Sequence, residues 1–144
     1  MIRFVAAICT IGLTGCSPQK MADVNRPPDS ARLSQRIYFL VRAPLLRNVL
    51  EGHQLVDDPC HDTSLCTERF SSDGRSLERT GDAVPLVKGK YSVPGDRFCG
   101  TIDGQSRCKA LYRAADGTYA TMKFDGDWRD PVVVRITPLS GTPR

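Results

Sequence analysis

Short runs of alternating apolar and polar residues, separated by turn-forming dipeptides, occupy most of the chain after residue 52. Runs of this kind lie at 53–56, 88–93 and 97–102, and a β-branched run, VVVRI, follows Pro131. A period of two residues is typical of β-strands with one buried face. About eight short strands in sequential order, joined by tight turns, predict a mainly β fold: an antiparallel meander or a small barrel.

Asp-Gly dipeptides punctuate this region at 73–74, 103–104, 116–117 and 125–126. The first three predict hairpins, because a two-residue type I′ turn needs positive φ at both central positions, and Asp-Gly is a preferred pair there. Such a turn also sets the register of the two strands. In the third hairpin it places Leu111 opposite Met122. The fourth dipeptide predicts a turn that leads to the strand after Pro131.

The side chains of the first hairpin agree with the register that its turn predicts. Phe70 faces Leu77, which pairs one apolar residue with another. Glu68 faces Arg79, which pairs opposite charges. Cross-strand pairs of these two kinds stabilise a sheet, so the sequence indicates a hairpin here and not merely a turn.

The segment before these strands predicts one or two short helices. The apolar residues of 46–50 follow helical spacing and end before Gly52, a residue suited to a helix C-terminus. Similar spacing behind a capping Ser30 predicts an earlier helix, which Pro44 separates from this one. The aromatic and β-branched residues of 37–41 also suit a first strand, and both alternatives stay open.

The N-terminus carries a targeting signal. Arg3 precedes a charge-free apolar run at 4–13, which is shorter than the ~20 apolar residues that a membrane-spanning helix needs. Such a segment is typical of a secretory signal peptide. The run ends in four residues that resemble the lipobox of bacterial lipoprotein signal peptides: Leu13, Thr14, Gly15 and Cys16.

The lipobox resemblance implies that the signal peptide is removed and that Cys16 becomes the acylated first residue of the mature chain. One acyl chain binds a membrane only reversibly, whereas the several chains that the resemblance implies anchor a protein firmly. Ser17 stands where an Asp would retain such a lipoprotein at the inner membrane. The resemblance therefore implies the periplasmic face of the outer membrane, with the inner membrane as the less favoured alternative.

These features divide the chain into four parts. The residues that follow Cys16 are polar up to residue 35 and include three prolines, a composition that predicts a flexible tether. The remaining length suffices for one domain with one core. The predicted parts are a signal peptide at 1–15, a lipidated N-terminus and tether at 16–35, a single β-rich periplasmic domain at 36–137 and a disordered tail at 138–144.

The cysteines predict disulfides. Of the six in the chain, the lipobox resemblance implies that Cys9 leaves with the signal peptide and that Cys16 carries lipid. Four remain in the domain: Cys60, Cys66, Cys99 and Cys108. An even number in a small exported domain favours two disulfides, because the periplasm is oxidising.

The second Asp-Gly turn selects one pairing. It places Cys99 and Cys108 opposite each other at a non-hydrogen-bonded position, where Cα atoms lie about 4.5 Å apart. That separation is within the range that a disulfide spans. We therefore predict a Cys99–Cys108 disulfide across the hairpin, which leaves Cys60 and Cys66 to form a local link.

No arrangement of residues indicates catalysis, a metal or a cofactor. The two histidines, His53 and His61, accompany no serine-nucleophile motif, phosphate loop or calcium loop. A zinc site assembled from these histidines with Cys60 and Cys66 fits no zinc-binding spacing and suits an oxidising compartment poorly. We therefore predict that the protein is not an enzyme and holds no metal or cofactor.

The net charge and the order of charged residues limit the kinds of partner that we expect the protein to bind. The chain carries 20 basic and 16 acidic residues, a net charge of +4, and the two signs alternate along the sequence. This pattern argues against nucleic-acid binding but suits anionic lipid or cell-wall polymers. The adjacent Asp57 and Asp58 are interpreted as solvated acids in a turn. The sequence does not indicate an oligomeric state.

The runs VLEGHQL, GKYSVPGDRFC and CKALYRAADGTY resemble a recurring pattern in small secreted proteobacterial β domains of unassigned function. The resemblance covers about residues 49–119, mostly at turn and core positions. It implies a fold and supplies no activity.

These features together predict a lipid-anchored periplasmic protein that binds an envelope component or a protein partner. Small β-barrel inhibitors of lysozyme share its size, anchor and disulfide, so an inhibitor-like role is an analogy at the level of the fold. One alternative is a lipocalin-like carrier of a small apolar ligand, which needs an apolar cavity. The other is a small envelope enzyme, which needs a pocket with convergent titratable groups.

Overall fold

A computed structural model describes residues 26–61, 64–82 and 84–140, of which 59–61 and 84 are described by their backbone alone. The predicted signal peptide, its lipobox residues Leu13 to Cys16 and the first half of the predicted tether lie outside the described residues. The described part is mainly β. Its elements are β1 Ser30–Leu33, β2 Arg36–Leu40, α1 Ala43–Leu50, β3 His53–His61, β4 Ser64–Phe70, β5 Ser76–Gly81, β6 Val84–Ser92, β7 Phe98–Ile102, β8 Gln105–Ala114, β9 Tyr119–Phe124 and β10 Val132–Pro138.

Strands β3 to β10 form a closed antiparallel barrel of eight strands. Each pairs with the next along the chain, and β10 also pairs with β3, which closes the ring. Closure leaves these strands without a free edge. The prediction of a mainly β fold, with about eight sequential strands in a small barrel, is confirmed.

Two of the predicted hairpin registers are confirmed. Phe70 pairs with Leu77 across β4 and β5, two residues away from the Glu68–Arg79 pair. Across β7 and β8, Cys99 pairs with Cys108. The turn between β7 and β8 has φ values of 50° at Asp103 and 76° at Gly104, the two positive angles that a type I′ turn requires.

The predicted register of the third hairpin is wrong by one residue, since Leu111 pairs with Thr121 and not with Met122. The loop holds three residues and not two, because the backbone N–H of Ala114 donates to the Thr118 carbonyl at 2.8 Å. Gly117 takes the left-handed conformation, with a φ of 87°. A three-residue loop of this kind is the next most common hairpin connection after the two-residue turns.

The helix predicted behind Ser30 is wrong, and the alternative of a strand at 37–41 is confirmed for residues 37–40. Strands β1 and β2 form an antiparallel hairpin, and β2 also pairs with β8 through Tyr38 and Ala114. Tyr38 and Leu40 are buried, whereas the residues between and before them are exposed. This alternation has the period of a strand, and tertiary pairing therefore decides the conformation of a segment whose apolar spacing suits both.

Folded structure also extends past both predicted domain boundaries. Strand β1 belongs to the segment predicted as a tether, and the Tyr112 hydroxyl donates to the carbonyl of Pro28 at 2.9 Å. At the other end, β10 continues to Pro138, and the backbone N–H of Leu139 donates to the Gly52 carbonyl at 2.9 Å.

Helix α1 closes one end of the barrel. Pro44 lies in its first turn, and Gly52 follows its end with a φ of 71°, as the sequence predicts. Leu46 and Leu50 are fully buried in the barrel core. No helix in the described part of the chain is long and apolar enough to cross a membrane.

Two apolar clusters hold the fold together. The larger one fills the barrel interior beneath α1 and consists of Val41, Leu46, Leu50, Leu55, Phe70, Leu77, Tyr91, Phe98, Leu111 and Val134. The smaller one joins the β1–β2 hairpin to β8 and β9 and consists of Ala31, Tyr38, Leu40, Ala110, Tyr112, Ala114, Ala120 and Met122. The Phe70 ring contacts the rings of Tyr91 and Phe98 edge to face, with centroids 5.0 and 5.7 Å away, a favourable geometry for aromatic pairs.

Two glycines make room for this interior packing. A Cβ atom at Gly100 would lie 2.6 Å from Cδ2 of the buried Leu77. A Cβ atom at Gly89 would collide with the carbonyl oxygen of Thr101 in the neighbouring strand. The clash at Gly89 is the more severe one, because a backbone oxygen cannot rotate away as the end of a side chain can.

We expect Gly89→Ala to lower the free energy of unfolding by about 2–3 kcal/mol, since overpacking forces the backbone to shift. Urea unfolding followed by circular dichroism measures the change. Lys90→Ala, at an exposed position of the same strand, is the control and is expected to change stability by less than about 0.5 kcal/mol. Equal stabilities for the two variants would contradict the packing argument.

Candidate functional site

The barrel interior contains a network of charged side chains beside its apolar core. The Lys109 ammonium donates to Asp58, and its Nζ lies 3.1 Å from Oε2 of Glu68. The Arg79 Nε donates to Oε1 of Glu68 at 2.7 Å, and the Thr121 hydroxyl donates to Oδ1 of Asp58 at 2.9 Å. Two acids and two bases are thus joined in one hydrogen-bonded cluster.

The interpretation of Asp57 and Asp58 as solvated acids is wrong for Asp58, which is fully buried. Asp57 has a φ of 64°, and the pairing of β3 with β4 shifts register between Leu55 and Asp58. This bulge adds a residue to β3, so that Asp58 and Leu55 both point into the barrel although they are three positions apart. Asp57 lies outside, where it accepts a hydrogen bond from Arg135 at 2.9 Å.

Burial and the neighbouring positive charges have opposite effects on the pKa values of the two acids in the cluster. Burial is the largest influence on Asp58 and raises its pKa to about 7, against the attraction of Lys109. Burial would also raise the pKa of Glu68, but Lys109 and Arg79 outweigh it and lower that pKa to about 2. The Lys109 pKa, which burial alone would lower, is raised by the two acids. Glu68 and Lys109 therefore remain charged at neutral pH.

The cluster ties the barrel together across its interior. Strand β8 lies four places from β4 in either direction around the ring, so Lys109 of β8 reaches Glu68 of β4 across the barrel. All three residues of the Asp58–Lys109–Glu68 contact are nearly or fully buried. Their charges are satisfied by one another, and we assign them a structural role.

A groove of about 400 Å³ lies on the outer face of β3, β4 and β5. The residues that line it are mostly polar: Gln54, Arg69, Ser71, Ser76, Glu78, Leu139 and Ser140. Outward-facing residues of five neighbouring strands form a row in register across this face. They are Thr137, Gln54, Arg69, Glu78 and Lys88.

The row is connected at both ends and interrupted at its centre. Gln54 donates to the Thr137 hydroxyl at 3.0 Å and accepts from the Arg69 Nε at 3.3 Å. On the other side, the Lys88 Nζ lies 3.6 Å from Oε1 of Glu78. Arg69 and Glu78 are directly opposed, yet within the described ranges they form no ion pair with each other.

This interruption suits a polar ligand. The Arg69 guanidinium has five N–H donors, and apart from Nε these have no acceptor among the described residues. Glu78 is partly exposed on the opposite wall of the groove. A ligand that offers an acceptor to Arg69 and a donor to Glu78 would complete the row, and charge-assisted hydrogen bonds of this kind are stronger than neutral ones.

The Cys99–Cys108 disulfide is confirmed, with the Cα atoms 4.0 Å apart. Cys66 is also disulfide-bonded, but the side chain of Cys60 lies outside the described residues, so its pairing with Cys66 stays a prediction. The lipid attachment at Cys16 lies outside them as well. His53 contacts the Glu51 carbonyl through Nδ1 at 2.8 Å.

In the part of the chain that the structure describes, no three His, Cys, Asp or Glu side chains are placed to hold a metal ion. The fold and the groove together define a small closed β-barrel with a polar cleft on its outer face, a form compatible with a binding protein. No family model, curated protein or solved structure matches the chain.

Neither the cluster nor the groove is predicted from the sequence, although some of the residue positions that form each of them could be inferred from it. The first hairpin register already pairs Glu68 with Arg79 and sets Arg69 opposite Glu78. The position of Lys109, one residue before the apolar run 110–112, places it on the face of β8 that also carries Leu111. The partners on β3 could not be found, because the bulge at Asp57 breaks the period of two.

We expect Lys109→Met to lower the free energy of unfolding by about 3–5 kcal/mol, because it leaves Asp58 and Glu68 buried with only Arg79 to compensate them. Chemical denaturation at neutral pH measures the loss. Lys90→Met, an exposed lysine exchanged in the same way, is the control and is expected to have little effect. A loss below about 1 kcal/mol would show that the barrel does not depend on the cluster.

The raised pKa of Asp58 predicts a dependence of stability on pH. Because this pKa is about 7 in the fold and ordinarily 3.8, the folded state binds more protons between these two values, and stability from this group falls as pH rises through that window. Glu68 does not interfere, since its pKa is lowered to about 2. We therefore expect the advantage of the wild type over Asp58→Asn to shrink as pH rises from about 4 to about 7.

Urea unfolding at several pH values across this window tests the prediction. Asp57→Asn is the matched control, because that neighbouring acid is outside the barrel and paired with Arg135. The difference between wild type and Asp57→Asn is expected to stay nearly constant. An Asp58→Asn difference that is flat, or that grows with pH, would contradict the assignment.

Proposed function

We propose that the protein is a non-enzymatic, lipid-anchored binding protein of the bacterial cell envelope. In this proposal acylated Cys16 holds it at the periplasmic face of the outer membrane, and the groove on β3, β4 and β5 binds a polar segment of a protein or cell-wall partner. The observation that carries the proposal is the pair Arg69 and Glu78, which are opposed in register but form no ion pair with each other in the described part of the chain.

The filled interior supports binding on the outside of the barrel. A lipocalin-like carrier needs an apolar space inside, whereas here Phe70, Leu77 and Leu111 are almost completely buried in the core and the charged cluster occupies the region around Lys109. Carriage of an apolar ligand would require the displacement of these side chains. The groove of about 400 Å³ is already open to solvent and lies within the size range of ligand sites.

The chemistry of the groove favours a partner rich in hydrogen-bonding groups. Its walls present a cation, a carboxylate, an amide and hydroxyls, with Leu139 as an apolar contribution. Peptide backbones and polysaccharides both offer donors and acceptors at close spacing. An exposed loop of an envelope hydrolase would fit this description and would make the protein inhibitor-like.

Chemical crosslinking in intact cells, followed by affinity recovery and mass spectrometry, tests the groove. We expect Arg69→Ala to reduce recovery of the bound partner about tenfold or more, because a hydrogen bond to a charged group contributes about 1.5–3 kcal/mol. Glu78→Ala should act in the same direction. Arg129→Ala, at an arginine that is also exposed but lies in the loop between β9 and β10, is the matched control and should recover the partner normally.

The anchor is tested in the same cells with Cys16→Ser. We expect this variant to lack the acyl mass in intact-mass spectrometry and to lose membrane-proximal partners. If Arg69→Ala, Glu78→Ala and the control all recover the same partners in equal yield, the groove is not the binding site. If the wild type recovers no partner, the binding role itself is wrong.

A further inference from the structure

One face of the β1–β2 hairpin is apolar and exposed. The exposed fractions are 46% for Ile37 and 60% for Phe39. Their neighbours Tyr38 and Leu40 point to the other face and pack in the smaller apolar cluster. The exposure of large apolar side chains to water is unfavourable. Two such side chains on one face of a strand are therefore suited to an interaction surface.

Two arginines flank these apolar side chains. Arg32 pairs with Ile37 across the hairpin, and Arg113 pairs with Phe39 across β2 and β8, so all four residues share one face of the sheet. Neither arginine has a carboxylate within ion-pair distance in the described part of the chain. Arg113 instead lies over the Tyr119 ring, 5.6 Å from its centroid.

Other arginines of the same region differ in this respect. Arg36 lies 3.3 Å from Asp116, and Arg42 contacts Asp29 and Asp96 at 2.7 and 2.8 Å. The charge of the region is therefore neutralised around the hairpin but not on its apolar face. A surface that combines exposed aromatic and aliphatic side chains with uncompensated arginines is complementary to anionic lipid headgroups over acyl chains.

The position of the hairpin in the chain makes a membrane the partner that fits best. Nine residues lie between Cys16 and Arg26, the first described residue, so the chain from one to the other spans at most about 35 Å. Strand β1 begins four residues later. An acylated Cys16 would thus keep the hairpin within a short distance of the bilayer at all times.

We propose that the hairpin face, defined as Arg32, Ile37, Phe39 and Arg113, docks on the surface of an anionic lipid bilayer. This inference rests on the proposed lipid anchor. Phe39 and Ile37 enter the boundary between headgroups and acyl chains, and the two arginines contact lipid phosphates. The hairpin is attached to β8, and β4 is the strand farthest from β8 around the ring, so docking keeps the Arg69 groove away from the membrane.

Tryptophan probes in the full-length lipidated protein test the docking. The variants Phe39→Trp and Leu86→Trp are compared in a Trp128→Phe background, since Trp128 is the only native tryptophan. Leu86 is the matched control, because it is 55% exposed but lies on β6. The proteins are reconstituted into vesicles that contain phosphatidylglycerol and lipids with brominated acyl chains, and the quenching of fluorescence is measured.

We expect the Phe39→Trp probe to be quenched at least severalfold more than the Leu86→Trp probe, and the difference to shrink in vesicles without anionic lipid. Adding Arg32→Glu and Arg113→Glu should reduce the fraction of docked protein, because each arginine near an anionic surface contributes about fivefold to binding. Lys88→Glu with Lys90→Glu changes charge equally on β6 and should leave quenching unchanged.

The outcomes separate this inference from the function it rests on. Equal quenching of the two probes in protein that floats with the vesicles would overturn docking and leave the anchor intact. Protein that fails to float would overturn the anchor and docking with it. Shielding of the Phe39→Trp probe only after an envelope protein extract is added would show that the face binds a protein, which also overturns the lipid assignment.

Discussion

The contact of Lys109 with Asp58 and Glu68 is the constraint on which the rest of the barrel depends. It joins β8 to β3 and β4 across the interior, and Arg79 and Thr121 extend it to β5 and β9. A small eight-stranded barrel must fill its inside with side chains. Here the apolar core fills the region beneath α1, and a charge-balanced network fills the region around Lys109. These side chains occupy the interior, and the proposed binding site therefore lies on the outer surface.

The outer surface is divided between two sides of the barrel. Strand β4 carries the centre of the polar row, and β8, four strands away in either direction, carries the β1–β2 hairpin. The two sides have opposite chemistry: an interrupted row of hydrogen-bonding side chains around Arg69, and exposed apolar side chains around Phe39. In the proposed function, a lipid-anchored protein needs both a side that tolerates the membrane and a side that faces its partner. The ring order of the strands separates these requirements without a second domain.

Local chemistry made much of the fold predictable, and long-range pairing made the rest unpredictable. The Asp-Gly turns predict the registers of two hairpins correctly, with the facing cysteines and the Glu68–Arg79 pair. In the β7–β8 turn both Asp103 and Gly104 have the positive φ that type I′ geometry requires, whereas in the β4–β5 turn only Gly74 does. The loop that contains Gly117 holds three residues and not the predicted two. Nothing in the local sequence distinguishes this loop from a two-residue turn. Residues 37–41 suit a helix as well as a strand, and the pairing of 38–40 with β8 decides in favour of the strand. The buried site depended on a bulge at Asp57, which shifts the inward face of β3.

The folded structure begins within the predicted tether, and this shortens the linker that follows Cys16. Residues 26–35 were predicted as part of a flexible linker, yet Pro28 accepts a hydrogen bond from Tyr112 and Asp29 pairs with Arg42. The segment between Cys16 and the folded part is therefore about half as long as the sequence suggests. If Cys16 is acylated as proposed, a linker of about twenty residues would let the barrel turn freely above the bilayer, whereas one of about ten would hold it within about 35 Å. At that distance weak contacts would act at high effective concentration, so the proposed contacts of two exposed apolar side chains and two arginines would help to orient the groove.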